Sequence, residues 1–133
     1  MAKQAARHVH PLDLIEFSAV YPALAVPDVA DACRWYVEKP DFMVRFLSGQ
    51  PPSHGAILFG AACLHFQTGV PQLGENWLYF GISNLDGMYQ RARSNGVNIS
   101  TPPKNCPWGM REFDAIDLNG CNIRYGQNFE LEP

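Results

Sequence analysis

Apolar residues recur along this chain in two periods, and the two periods follow one another in the same order twice. Ala19 to Val26 reads as an extended segment ending at Pro27-Asp28, where proline halts the strand and Asp28 is placed to cap a helix. Val29, Ala32, Cys33 and Tyr36 then fall at helical spacing, so the spacing predicts a helix to about Val37, stopped by Lys39-Pro40. Asp41 to Leu47 alternates as a strand, Gly49 to Ser53 is a loop, and Ala56 to Phe59 with Cys63 to Gln67 forms a hairpin across Gly60-Ala61-Ala62. After the linker Thr68 to Gly74 the cycle restarts. A strand from Asn76 to Ser83 leads to a helix capped by Asn84, with Leu85, Met88, Tyr89 and Ala92 on one face and Asn95-Gly96 at its end. Val97 to Ser100 is a short strand, and Thr101 to Cys106 is expected to be a loop because its two prolines disfavour regular structure. A loop carrying Trp108-Gly109 then precedes a last hairpin. Its turn is Asp117-Leu118-Asn119-Gly120, where Asn and Gly accept the positive φ that a tight connection requires.

The two cycles are in register. Val26-Pro27-Asp28-Val29 and Ile82-Ser83-Asn84-Leu85 stand 56 positions apart, and Cys63-Leu64-His65-Phe66 and Cys121-Asn122-Ile123-Arg124 stand 58 apart. The predicted class is therefore α+β, two βαβββ modules over about residues 18–67 and 76–127, within one domain spanning 17–133. Periodicity alone does not separate paired curled sheets from a duplicated ferredoxin-like unit.

Strand alternation divides the side chains between two faces. Leu24, Val26, Leu64, Phe66, Leu78, Phe80, Ile82, Ile123 and Tyr125 are the plainly apolar set and belong against the helices. That leaves Tyr21, Ala23, Ala25, Cys63, His65, Gln67, Trp77, Tyr79, Gly81, Asn122 and Arg124 on the concave side. Such a lining, aromatic with a few polar groups, is the usual composition of a small-molecule site. Arg124 there requires a partner, either a carboxylate such as Glu112 or Glu75 or an anionic ligand group. His65 is either a hydrogen-bonded structural histidine or a general base.

Composition narrows the function classes. With 47% hydrophobic and 17% charged residues the chain buries a core of its own, and its net charge of −3 lacks the clustered Lys and Arg that a nucleic-acid surface needs. A neutral or cationic small ligand fits better. No apolar run approaches a membrane span and the first residues lack a signal-peptide core, so a cytoplasmic location is expected. Cys33, Cys63, Cys106 and Cys121 have no CxxC spacing and read as reduced thiols, Cys106 in an exposed loop. Residues 1–16 read as an N-terminal extension; His8-x-His10 lacks the Cys or carboxylate support of a metal site.

Pro107-Trp108-Gly109-x-Arg111-Glu112-Phe113, followed by Asp117-x-x-Gly120-x-x-Ile123-Arg124, resembles the closing strands of the bleomycin-resistance branch of the glyoxalase/bleomycin-resistance/extradiol-dioxygenase superfamily, the vicinal oxygen chelate proteins. More weakly, the likeness covers about residues 18–128, through Val26-Pro27-Asp28-Val29 and Trp35-Tyr36. It implies the vicinal oxygen chelate fold, curled mixed sheets around a cleft, and a homodimer whose clefts form between modules of different subunits. It also implies a loop Trp108 that stacks on a flat ligand, against the reading of a structural lid over a core; Arg111 and Glu112 directly after it are either a charge arrangement that fixes the loop or ligand contacts. In metal-dependent members of the superfamily His and Glu on these strands hold a divalent ion; by the motifs those positions are Tyr21, His65, Trp77 and Arg124. One donor in four does not hold an ion. The expected function is thus cofactor-free, metal-free binding of a bleomycin-type antibiotic or other planar aromatic compound, with Trp108, Tyr21, His65, Gln67, Trp77, Tyr79, Arg111 and Arg124 in contact and no catalytic residue. An enzyme acting on a small carbonyl or aromatic metabolite is the alternative.

Overall fold

Two helices settle the packing of two sheets, and each helix begins where a side-chain oxygen takes up a free backbone N–H. The computed structural model describes residues 15–129, so His8 and His10 lie outside the described residues. The elements are β1 (Ala23–Val26), α1 (Val29–Glu38), β2 (Met43–Ser48), β3 (His54–Phe59), β4 (Ala62–Thr68), β5 (Trp77–Gly81), α2 (Leu85–Ser94), β6 (Asn98–Asn105), β7 (Met110–Ile116) and β8 (Asn122–Asn128). The sheets run β1-β4-β3-β2 and β5-β8-β7-β6, with β1 and β5 parallel to β4 and β8 and the other pairs antiparallel. Each is thus one βαβββ module, as the two cycles of the sequence predict. No helix among the described residues is long and apolar enough to cross a membrane.

Asp28 caps α1 by accepting from the Asp31 N–H at 2.9 Å, a contact whose loss typically costs about 1 kcal/mol. The buried stripe of Val29, Ala32, Cys33 and Tyr36 packs with Ile57, Leu64 and Phe66 of the first sheet in one continuous core. In module two the Leu85 N–H donates to Gln127 Oε1 of β8 at 2.8 Å, and the Gly87 N–H to Asn84 Oδ1 at 3.0 Å. Helix α2 is therefore fastened to its sheet as well as capped locally.

The modules meet through their helix-facing layers. Tyr36 donates its hydroxyl proton to Asp117 Oδ2 at 2.7 Å in the interior, Asn95 Nδ2 donates to the Lys39 carbonyl at 2.7 Å, and the Phe42 and Phe80 rings stand 5.9 Å apart. Burial first, then the Asp117 carboxylate, hold the Tyr36 phenol well above its ordinary pKa, so it remains a donor.

Three local expectations are corrected. Thr101 to Cys106 is not a loop: β6 runs through Pro102-Pro103 to Asn105. It is an edge strand, where half of the backbone needs no partner, and the pairing register with β7 breaks between Thr101 and Lys104, which spares the prolines a ladder bond. Asp41 and Phe42 lie outside β2; Asp41 adopts φ 74° and turns the chain so that Phe42 is 3% exposed. Cys106 is buried rather than in an exposed loop, its Sγ 3.6 Å from Glu112 Oε1, and burial followed by that carboxylate raises its pKa.

Candidate functional site

Strand alternation gives each sheet one face against a helix and one concave face turned away from it. On β5 and β8 the helix side carries Leu78, Phe80, Ile123 and Tyr125, all part of the core or packed against it. Trp77, Tyr79 and Arg124 occupy the other side. The parallel register sets Trp77 opposite Asn122 and Tyr79 opposite Arg124. Strand β7 adds Glu112 and Asp114 to the same face, because Phe113 and Ala115 between them are fully buried.

These residues form one hydrogen-bonded unit. Arg124 pairs with Asp114 through two bonds, Nε to Oδ1 at 2.7 Å and Nη2 to Oδ2 at 3.0 Å, with Glu112 Oε1 at 3.8 Å. The Arg124 partner is thus chiefly Asp114, a residue the sequence reading did not name. Its guanidinium also lies over the Trp77 ring, 4.4 Å from the centroid. Glu112, 5% exposed, accepts from the Tyr79 hydroxyl at 2.8 Å and from Trp108 Nε1 at 3.3 Å. Partial enclosure and then the Glu112 carboxylate push the Tyr79 phenol up to about 12. Tyr79 reaches Glu112 by crossing Gly126: a methyl there would run into the phenol, so glycine is what lets the ring lie flat on the sheet. The Trp108 ring is 66% exposed and does not close over a core. Trp77 at 43% and Tyr79 at 50% also show large apolar area to solvent.

The concave face of module one is different. Tyr21 stacks on His65 with ring centroids 5.3 Å apart, and His54 Nε2 lies 3.1 Å from His65 Nδ1, a hydrogen-bond contact whose donor is set by the tautomers. Arg45 lies 5.6 Å from the Tyr21 ring centre and its Nη1 donates to Cys63 Sγ at 3.8 Å, while the Phe46 ring packs edge-on to His65. Gln67 is exposed at the end of β4 and borders a cavity of about 400 Å³ between the modules, with Trp77 on its far wall. His54 escaped the sequence reading because β3 begins two residues before Ala56. The signal was present, since in a strand starting at His54 it falls on the face opposite Gly55 and Ile57.

Of the predicted site residues, Tyr21, His65 and Gln67 thus lie on module one, apart from Trp77, Tyr79, Trp108 and Arg124, and Arg111 lies on neither concave face. Its neighbours in β7 alternate, so it projects toward α2, where it bonds Asp86 at 3.0 Å and Asn105 at 3.1 Å. It fastens the helix and shares no face with Arg124.

At the positions where the resemblance implies metal ligands, the residues do not fit an ion. The Trp77 indole offers no lone pair, the Arg124 guanidinium is a cation engaged with two carboxylates, and Tyr21 stands stacked on the imidazole of His65. No three His, Cys, Asp or Glu residues cluster in ligating geometry among the described residues.

No family model and no curated protein sequence matches this chain. Solved structures do. TioX from Micromonospora sp. ML1 is 20% identical, with a TM-score of 0.71 over 84% of this chain and 100% of its own. A glyoxalase-related enzyme from Clostridium phytofermentans is 17% identical, with a TM-score of 0.75 over 87% and 98%. A glyoxalase/bleomycin resistance protein/dioxygenase from Nocardioides is 19% identical, with a TM-score of 0.65 over 91% and 90%. At such identities it is architecture that is shared. The chain has the vicinal oxygen chelate fold, common to solved structures of the glyoxalase, bleomycin resistance and dioxygenase proteins.

Proposed function

We propose that this protein binds and sequesters a planar aromatic small molecule, a bleomycin-type antibiotic being the first candidate, on the concave face of module two. The observation that supports the reading is the arrangement of Trp77, Tyr79 and Trp108: three largely exposed rings, two held by hydrogen bonds to one buried carboxylate and the third by a guanidinium. A soluble surface rarely carries so much aromatic area in one place without a partner. Rings fixed in advance lose little entropy when a flat ligand stacks on them.

The same exposure supports a homodimer. Each concave face is open, and neither of the two larger cavities includes His65, Arg124 or Trp108. A second copy that sets its module one over module two would roof the rings and add Tyr21, His65 and Gln67 to the ligand shell. On this reading the protein acts in the cytoplasm, where it meets the ligand before the ligand's target.

Titration of bleomycin into the protein is expected to quench tryptophan fluorescence saturably. Trp108→Ala should weaken binding roughly two- to twelvefold, the effect of losing one stacked pair of about 0.5–1.5 kcal/mol. Absence of quenching at high micromolar bleomycin would remove that ligand.

A second reading, turnover of a small carbonyl or aromatic metabolite, draws on the His54–His65 contact, since two imidazoles in hydrogen-bond contact can accept one proton and release another. It expects catalysis that survives chelator and is lost in His54→Ala, measured by turnover assays on candidate substrates.

A further inference from the structure

A cavity of about 540 Å³ lies beside the rings around Glu112, bordering Tyr79 but neither Trp77 nor Trp108. It runs along the seam between modules, where the free edge of β5 faces the hairpin that joins β3 and β4. Its walls include Phe42, Phe59, Phe80, Met88 and Tyr125, drawn from both modules, and its volume falls in the range of sites for drug-sized ligands. The cavity opens to solvent, and Phe59 stays 40% exposed at its rim. Gly81 opens onto the same space, and a methyl at its Cα position would meet no atom within 4 Å.

One cation lines this cavity. The Arg91 guanidinium lies over the Phe59 ring at 5.8 Å and, among the described residues, reaches a single carboxylate, Asp41, at 3.5 Å across an exposed contact. Ser83 and Asn84 supply the other polar groups of the mouth. An apolar slot with a guanidinium at its opening has the charge and polarity pattern of a site for an amphipathic acid, whose anionic head exchanges for the weak Asp41 contact.

We propose that the seam cavity is a second ligand site, taking a small organic anion with a flat or aliphatic body, its body among Phe42, Phe80 and Met88 and its acid group on Arg91. The site is independent of Trp108, so it stands or falls apart from antibiotic binding.

The probe is 1-anilinonaphthalene-8-sulfonate, an aromatic body with one sulfonate, titrated by calorimetry against its uncharged relative N-phenyl-1-naphthylamine. The expected result is saturable binding of about one sulfonate probe per chain, weakened at least tenfold by Met88→Trp, which fills the slot. Gly81→Leu should do the same from the opposite wall, covering the case in which the tryptophan disturbs α2. Arg91→Gln should weaken the sulfonate at least fivefold while the uncharged probe changes less than twofold, and this Arg91-dependent class of binding should persist in Trp108→Ala, which removes stacking on the other face. Non-saturable binding, indifference to both filling variants, or an equal loss for both probes in Arg91→Gln overturns the proposal. So does the absence of binding.

Discussion

Replacing Asp117 by alanine is expected to lower the free energy of unfolding by roughly 3 kcal/mol, measured in urea with the slope of the transition unchanged. Asp117 is 7% exposed and holds three donors: the Tyr36 hydroxyl at 2.7 Å, and the Asn119 and Cys121 N–H groups of its own turn at 2.8 and 2.9 Å. Alanine leaves all three without an acceptor. The turn amides are near enough to the surface to recruit water, and their loss costs about 1 kcal/mol. The Tyr36 hydroxyl has no such recourse, because its residue is fully buried, and an orphaned buried donor costs about 1–3 kcal/mol. Tyr36→Phe should lose less, about 1–2 kcal/mol, since it removes the donor and leaves the turn intact. A value for Asp117→Ala within about 0.5 kcal/mol of the wild type would mean that this bond does not tie the modules together.

That bond also marks a boundary of what the sequence could reveal. Turn residues announce their own geometry, so Asp117-Leu118-Asn119-Gly120 is legible as a hairpin, and Gly120 has the expected positive φ of 87°. Faces were legible too, because Leu78, Phe80 and Ile82 have no reason to alternate with Trp77, Tyr79 and Gly81 unless one side is wet. The pairing of Tyr36 with Asp117 is not written locally, since 81 positions separate them and nothing in either neighbourhood depends on the other. Pro102-Pro103 misled for a different reason. Proline forbids a central strand but not an edge strand, and edge position is a property of the whole sheet. Arg111 was misplaced although its parity was available: Phe113 and Ala115 define the buried side, and Arg111 follows them. The carboxylate at Asp114 was legible by the same parity. A charged residue two positions from Glu112, in a run otherwise apolar, marks the wet face as surely as Arg124 does. Partners are harder than faces because a partner needs register, which the β7–β8 pairing of Asp114 with Arg124 supplies only once both strands are placed.

The second large effect is expected at Arg124 itself. Arg124→Met keeps the aliphatic stem but removes the guanidinium, and with it the charge paired with Asp114 and near Glu112, both under a tenth exposed. Breaking a buried ion pair on one side typically costs about 3–5 kcal/mol; the guanidinium is about a third exposed, so solvent screening brings the expected loss to roughly 2–3 kcal/mol at neutral pH. In the wild type the hydrogen bonds to Asp114 hold the guanidinium pKa above its ordinary value, so Arg124 stays charged at any working pH and does not itself titrate. The loss is measured by urea unfolding at neutral pH. The ligand readout moves with it: freed of its guanidinium, Glu112 no longer holds Tyr79 and Trp108 against one fixed acceptor, and bleomycin affinity should fall by more than in Trp108→Ala. A deficit within about 0.5 kcal/mol of zero would show that the pairing of Arg124 with Asp114 and Glu112 does not hold this face together.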